Sequence, residues 1–261
     1  FGTAPSPALV RKFKVGGTVE TVAGSASATV PLAKVAHGAS YPATAVDLKE
    51  IRGLVVGPGG ELYISSAAAL LRLQAGGLSL VAGGNPCAPC DPASTTCSQC
   101  RAQVSVQDEI RDWRTGVPVE QAQLLEQTQG LVSMVSMAVG GQVLYFVNGY
   151  SGVRVLNLSP HDITLYPKAG NASDCAAQPI VVGSLRVKTI AGIMNGVGDS
   201  GDGASAIRAR FNGPQALVVD ADSNIYLSDT GNNRVRVIGG KSGCVSTFAR
   251  QKLRALSQSS P

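Results

Sequence analysis

Apolar residues in this chain fall in short alternating runs, with no long stripe at helical spacing, and the runs recur in a fixed order. Each unit opens on an Ala-rich segment: "PATAVDL" from Pro42, "PVEQAQLL" from Pro118 and "GASAIRARF" from Gly203. Six residues after the last apolar residue of that segment (Leu48, Leu125 or Phe211) an apolar run begins, at Leu54, Leu131 and Leu217. A Gly or Asp turn follows, and then a second strand, "ELYISS" from Glu61, "VLYFVN" from Val143 and "NIYLSD" from Asn224. A third strand comes next, "LLRLQ" from Leu70, "VRVLNL" from Val153 and "VRVIGG" from Val235. The fourth carries a marker: "SLVAGG" from Ser79, "KTIAGI" from Lys188 and a weaker "STFAR" from Ser246, with a further copy, "ETVAGS", from Glu20. Tyr63, Tyr145 and Tyr226 hold one register in the second strand, so they are expected at equivalent places.

Four short strands per unit, period-two alternation and Gly/Asp/Asn turns predict an all-β fold, a β-propeller of four-stranded antiparallel blades. The absence of a long amphipathic helix argues against an α/β solenoid, and the Ala-rich segments have room for one helical turn each. Inner strands are expected near Leu54–Val56, Val135–Val139 and Leu217–Asp220. "LVRKFKVGGTVETVAG" from Leu9 reads as the third and fourth strands of a blade whose first two are missing. The divisions are a half blade at 9–24, blades at about 42–84, 118–192 and 203–249, a Cys-rich insertion at 85–116 and a polar tail at 250–261. Closed propellers usually hold four blades or more. The expectation is therefore a part of a larger propeller, or an edge that another chain covers.

The third unit, "TIAGIMNGVGDSGDGASAIRARFNGPQALVVDADSNIYLSDTGNNRVRVI", resembles the NHL repeat over nearly its whole length. That family's pattern is a "TVAG" strand, a "GDG" turn, "GPxGVAVD" and "NLYVADTGNNRI" before a basic strand. The first unit lacks the "GDG" turn and ends its second strand "ISSA"; the second is degenerate and carries long insertions. The resemblance implies that "GDSGDG" from Gly198 is a structural turn, in spite of its suggestion of calcium through Asp199 and Asp202.

Composition agrees with turn-dense β structure: 31 Gly, 14 Pro, 44% hydrophobic and 15% charged residues. The formal charge of +5 is scattered apart from Arg250, Lys252 and Arg254, and aromatics are 5%. A nucleic-acid face needs clustered cations with aromatic platforms, so no nucleic acid is expected as a partner. The uncharged stretch from Gln127 to Val153 is long enough to span a membrane, but polar residues interrupt it. Two buried strands joined at Gly140-Gly141 account for it, and no membrane span is expected.

Cys87, Cys90, Cys97 and Cys100 form two CxxC pairs within the insertion. They suit either a small disulfide knot or tetrahedral zinc. The even total of six, completed by Cys175 and Cys244 in loops after outer strands of successive units, favours disulfides. Cys175 with Cys244 is the expected long-range pair; within the four, Cys87 with Cys100 and Cys90 with Cys97, or the crossed alternative, remain open. Asn171 opens an N-glycosylation triplet beside Cys175. Asp229 and Asn232 are expected to satisfy turn amides. His37 and His161 are far apart, no nucleophile, base and acid stand out together, and no catalytic residue, metal or cofactor is assigned. These features point to a non-catalytic protein-binding or structural scaffold, extracellular or at the cell surface, whose partners are other protein subunits or the rest of a larger chain. RNA binding by a basic propeller face, and a metal-dependent lyase or hydrolase using Asp220, Asp222 or Asp229, are the alternatives.

Overall fold

The structure is a computed structural model in which residues 7–66, 69–83, 117–118, 136–148, 152–167, 175, 177–193 and 196–250 are described. An N-terminal hairpin pairs β1 (Val10–Phe13) with β2 (Val19–Ala23). A short parallel pair, β3 (Val30–Pro31) and β5 (Val46–Asp47), flanks β4 (Ser40–Pro42). The first sheet then runs β6 (Ile51–Val56), β7 (Leu62–Ser66), β8 (Ala69–Gln74) and β9 (Gly77–Gly83), with β4 added outside β9. The second sheet begins outside, with β10 (Val117–Pro118), and continues from its inner edge through β11 (Ser136–Gly140), β12 (Val143–Asn148) and β13 (Gly152–Asn157). A separate hairpin, β14 (Ile163–Leu165) with β15 (Ile180–Val182), intervenes before β16 (Arg186–Ala191) returns to pair with β13. The third sheet is β17 (Leu217–Val219), β18 (Ile225–Asp229), β19 (Arg234–Ile238) and β20 (Val245–Arg250).

Nearly all the pairing is antiparallel between sequence neighbours, and the described residues contain no α-helix. The inner strand β11 lies against both β6 and β17, so the sheets fan out from a common side in a propeller-like arrangement. The described strands do not close into a ring. Inner strands fall where expected, with β17 one residue shorter: Asp220 leaves the ladder because its Oδ1 accepts the amides of Asp222 and Asn224, both at 2.9 Å. Within the uncharged segment, residues 136–148 fold as β11 and β12 around Gly141 at φ +60°, a backbone that favours glycine. No helix among the described residues is long and apolar enough to cross a membrane.

The recurrent marker has a physical origin. Ala23, Ala82 and Ala191 are wholly buried, and the glycines after them, Gly24, Gly83 and Gly192, sit at φ +77°, +77° and +87°. A side chain on Gly24 would also meet the Ala8 carbonyl oxygen at 2.3 Å. From these turns the chain is stitched outward. Gly24 N–H donates to Ala43 at 3.0 Å and Gly192 N–H to Ala206 at 2.9 Å. Ala43 N–H donates in turn to Gly76 at 3.0 Å, and Ala206 N–H to Gly243 at 2.9 Å. These alanines open the two linker turns, Ala43–Ala45 and Ala206–Arg208, each a single turn of 3-10 helix. Both alanines are buried, which leaves no volume for a larger residue at the seam between sheets.

Three apolar clusters fill the seams. One joins the hairpin to the first sheet through Val10, Ala23, Leu48, Ile64 and Leu71. A second joins first and second sheets through Tyr63, Leu70, Leu144, Phe146 and Leu156. The largest joins second and third through Tyr145, Val155, Ile190, Phe211, Leu217 and Leu227. Tyr63, Tyr145 and Tyr226 occupy equivalent places on β7, β12 and β18: each faces the same position of the third strand, Arg72, Val155 and Val237, one residue past the bulge site. On the inner side they face Val55, Ala138 and Val218.

Candidate functional site

The acidic residues that invite a metal or catalytic reading are engaged in structure. Arg236 on β19 is wholly buried, with its guanidinium carbon 5.2 Å from the centre of the Phe211 ring. It pairs with Asp202 at 2.9 Å and Asp229 at 3.7 Å, and its Nη1 donates to the carbonyls of Ser200 and Arg210, both at 3.2 Å. Arg234 reaches Asp199 and Asp202, both at 3.6 Å, and Asp229 at 3.5 Å. Asp202 also accepts the Thr247 hydroxyl at 2.6 Å. The "GDSGDG" turn is thus held by two arginines of the third strand. Gly201 at φ +108° and Gly203 at φ +77° supply the turn's backbone.

Asp229 accepts the amide of Asn212 at 2.7 Å, just before the inner strand, and Asn232 donates to the Gly198 carbonyl at 2.8 Å. Within the turn between second and third strands, where the sequence suggested that both would satisfy amides, Asn232 Nδ2 donates to Asp229 Oδ2 at 2.8 Å, and the Asn212 amide and Gly198 carbonyl are partners from outside it. Asp220 accepts hydrogen bonds from the Asn224 side chain at 2.9 Å and the Tyr226 hydroxyl at 3.3 Å. The Asn224 bond, foremost, lowers its carboxyl below the ordinary range against the opposing effect of desolvation. Asp222 meets Lys241 at 3.5 Å on the surface. His37 Nε2 donates to the Gly83 carbonyl at 3.2 Å, and the His161 carbonyl accepts Asn157 Nδ2 at 2.8 Å. Among the described residues no three His, Cys, Asp or Glu gather as a metal set.

Cys175 and Cys244 are joined by a disulfide with Cα atoms 5.7 Å apart. Both lie between a third and a fourth strand, Cys175 beyond β14 and Cys244 just before β20, so the bond ties the second sheet to the third. Cys87, Cys90, Cys97, Cys100 and Asn171 lie outside the described residues. A cavity of about 310 Å³ near the same seam is lined by Tyr145, Leu165, Tyr166 and Ile225. Burial pushes the Tyr145 phenol up to about 12 and that of Tyr166 above its ordinary range. Neither phenol is a base near neutral pH.

The surface that stands out is apolar and lies at the two ends of the fan. In the third sheet Leu217 is 4% exposed beneath the second sheet, whereas the equivalent Leu54 is 50% exposed. Phe13 on β1 is 75% exposed; its counterpart Ile238 on β19 is wholly buried. Between β1 and the first sheet opens a cleft of about 910 Å³ lined by Val10, Phe13, Val22, Leu54, Val56 and Leu62. At the far end Val218 and Phe248 are 61% and 64% exposed, and Phe248 meets Tyr226 edge to face with centroids 5.1 Å apart. On the first and second sheets that same face buries Tyr63 and Tyr145 against the next sheet. Exposure of large side chains was invisible in the sequence, where each of these residues reads as core.

Residues 211–238 match the NHL repeat family. Among curated proteins, none matches the sequence. Two solved auxiliary nutrient binding proteins are similar in structure. The one from Bacteroides ovatus ATCC 8483 has 12% identity and TM-score 0.47, over 92% of this chain and 46% of its own. The one from Bacteroides thetaiotaomicron VPI-5482 has 13% identity and TM-score 0.43, over 76% and 36%. This chain spans less than half the length of either.

Proposed function

We propose that this chain is about three and a half blades of a larger NHL-type propeller that serves as a non-catalytic binding or structural scaffold outside the cell or at its surface. The observation that carries the reading is the pair of uncovered apolar faces, Leu54 with Val56 at one end and Val218 with Phe248 at the other. Interior blade faces are covered at equivalent positions, and contiguous apolar surface of this kind marks interaction sites. The carboxylates a lyase or hydrolase would need are occupied: Asp229 by two arginines and an amide, Asp220 by its own turn. The Cys175–Cys244 bond supports an oxidising compartment. In that setting Cys87, Cys90, Cys97 and Cys100 pair among themselves and Asn171 carries a glycan.

Two measurements test the reading. A photo-cross-linking residue at position 248 in the protein as assembled in its source should trap a β-strand polypeptide, or a further part of its own chain, against β20. A cross-link to nothing, from a protein that runs as a stable monomer, would overturn it. Intact mass with and without reductant should show six cysteines oxidised and a glycan increment; free thiols would remove the extracellular placement.

A further inference from the structure

Internal equivalence between the sheets defines what the cleft beside β1 is shaped to receive. β1 pairs with β2 along one edge, and among the described residues no strand pairs with its other edge. The counterparts of β1, namely β8, β13 and β19, each pair there with a second strand that ends in a polar residue: Ser66, Asn148 or Asp229. A bulge fixes the register. β1 shifts against β2 between Val10 and Arg11, and β19 shifts against β20 between Val235 and Arg236. Arg11 faces Thr21 as Arg236 faces Thr247. Arg11 is therefore the counterpart of Arg236, and of Arg154 in the second sheet, which faces Thr189. Arg236 and Arg154 are buried, whereas Arg11 is exposed and makes no ion pair among the described residues.

We infer that the free edge of β1 takes up a β-hairpin of repeat type whose second strand ends in a carboxylate that pairs with Arg11. The inference rests on the proposal that more propeller strands belong beside this chain, and it names their chemistry. The occupant adds its second strand to β1 by main-chain hydrogen bonds, the usual mode of strand addition to an open edge. On the face towards the first sheet, an aromatic residue at the place of Tyr226 enters the cleft and covers Leu54, Val56 and Leu62. On the opposite face a residue at the place of Asp229 meets the Arg11 guanidinium, as Asp229 meets Arg236 at 3.7 Å. The sequence pattern of the occupant is thus three apolar residues, a Gly or Asp turn, then apolar, Tyr, apolar, small and Asp.

The chain supplies its own probe. A synthetic peptide of residues 215–230, "QALVVDADSNIYLSDT", carries the whole pattern. Added in trans to the full chain and followed by fluorescence anisotropy, it should bind saturably, and a scrambled peptide should not. Arg11→Glu should weaken binding about tenfold or more, the scale of a lost charge-assisted contact. The same peptide carrying Asp229→Lys should bind Arg11→Glu better than wild type. Arg11 is exposed, so a matching melting curve will show the variant folded. Absence of binding, or equal binding to wild type and Arg11→Glu, overturns the inference. If it falls while position 248 still cross-links to a neighbour, the scaffold reading stands without it.

Discussion

In the third sheet the face towards its predecessor is held by the buried pair Arg236 and Asp229, stacked on Phe211, with the exposed Asp202 at its rim. The corresponding positions of the first sheet include Leu71 for Arg236, Ser66 for Asp229 and Leu48 for Phe211, all buried. The backbone scarcely notices. Asp229 accepts the Asn212 amide at 2.7 Å, and Ser66 Oγ accepts the matching Lys49 amide at 2.9 Å while donating to the Lys49 carbonyl. Ser228 donates to Ala216 at 3.3 Å as Ser65 does to Gly53 at 3.5 Å. The comparison teaches that the fold demands an acceptor at the end of the second strand, not a carboxylate. A carboxylate there requires an arginine, and the arginine requires the acidic turn. An apolar face needs neither, which is why the first unit lacks "GDG".

The strongest way to break the comparison is to take one charge away. Asp229→Ala removes the wholly buried carboxylate that Arg236, Arg234 and the Asn212 amide share, leaving Asp202 as the carboxylate partner of Arg236, and should cost about 3–5 kcal/mol in urea unfolding. Asp229→Ser with Arg236→Leu, which gives the third sheet the first sheet's residues, should cost clearly less than Asp229→Ala alone. Non-additivity of that sign is expected for a buried pair replaced by apolar packing.

Covered and uncovered faces should differ by a comparable amount. Leu217→Ala should cost about 2–5 kcal/mol, as for a buried leucine. Leu54→Ala at the equivalent, half-open place should cost less than about 1 kcal/mol. Equal losses would mean that Leu54 is covered in solution.

The third sheet carries a covalent tie at its outer turn, where Cys244, bonded to Cys175, stands at the position of Gly77 in the first. Cys175→Ala with Cys244→Ala should lower stability by about 2–4 kcal/mol. Amide exchange should quicken in β20 and leave β9 unchanged. The smallest effect concerns the inner turn, which has Asp220 in the third sheet and Gly57 in the first. The Asp220 carboxyl, followed by NMR, should titrate below the ordinary carboxylate range. Its contribution is present above the unfolded-state pKa and is lost as pH falls through the lowered folded value.

Much of the fold was legible because local chemistry and fold agree: Tyr63, Tyr145 and Tyr226 sit in strands whose alternation and turns already announce them. The linkers' single helical turns were legible too, from their alanines. Less so was the outer edge, where β4 and β10 each add a strand of two or three residues, too short to leave a period. The equivalence of Arg11, Arg154 and Arg236 was hidden by the bulge, which places one extra residue in each fourth strand and spoils counting. Partners of the acidic turn were hidden for another reason: Asp202 and Arg236 meet only through folding, and nothing in their spacing reports it. The uncovered faces could not be read at all, since Leu54 and Leu217 open the same three-letter run.

The peptide groups of Ala43 and Ala206 each bind two sheets at once, through the carbonyl to the glycine of one and through the N–H to the outer turn of the next. The pitch from sheet to sheet is therefore written in main-chain bonds, and side chains have little say in it. A repeat built so is free to drift in sequence without losing its angle. Units as unlike as the first and third here can alternate in one array, and a newly acquired unit needs only a buried alanine and a left-handed glycine to fall into step.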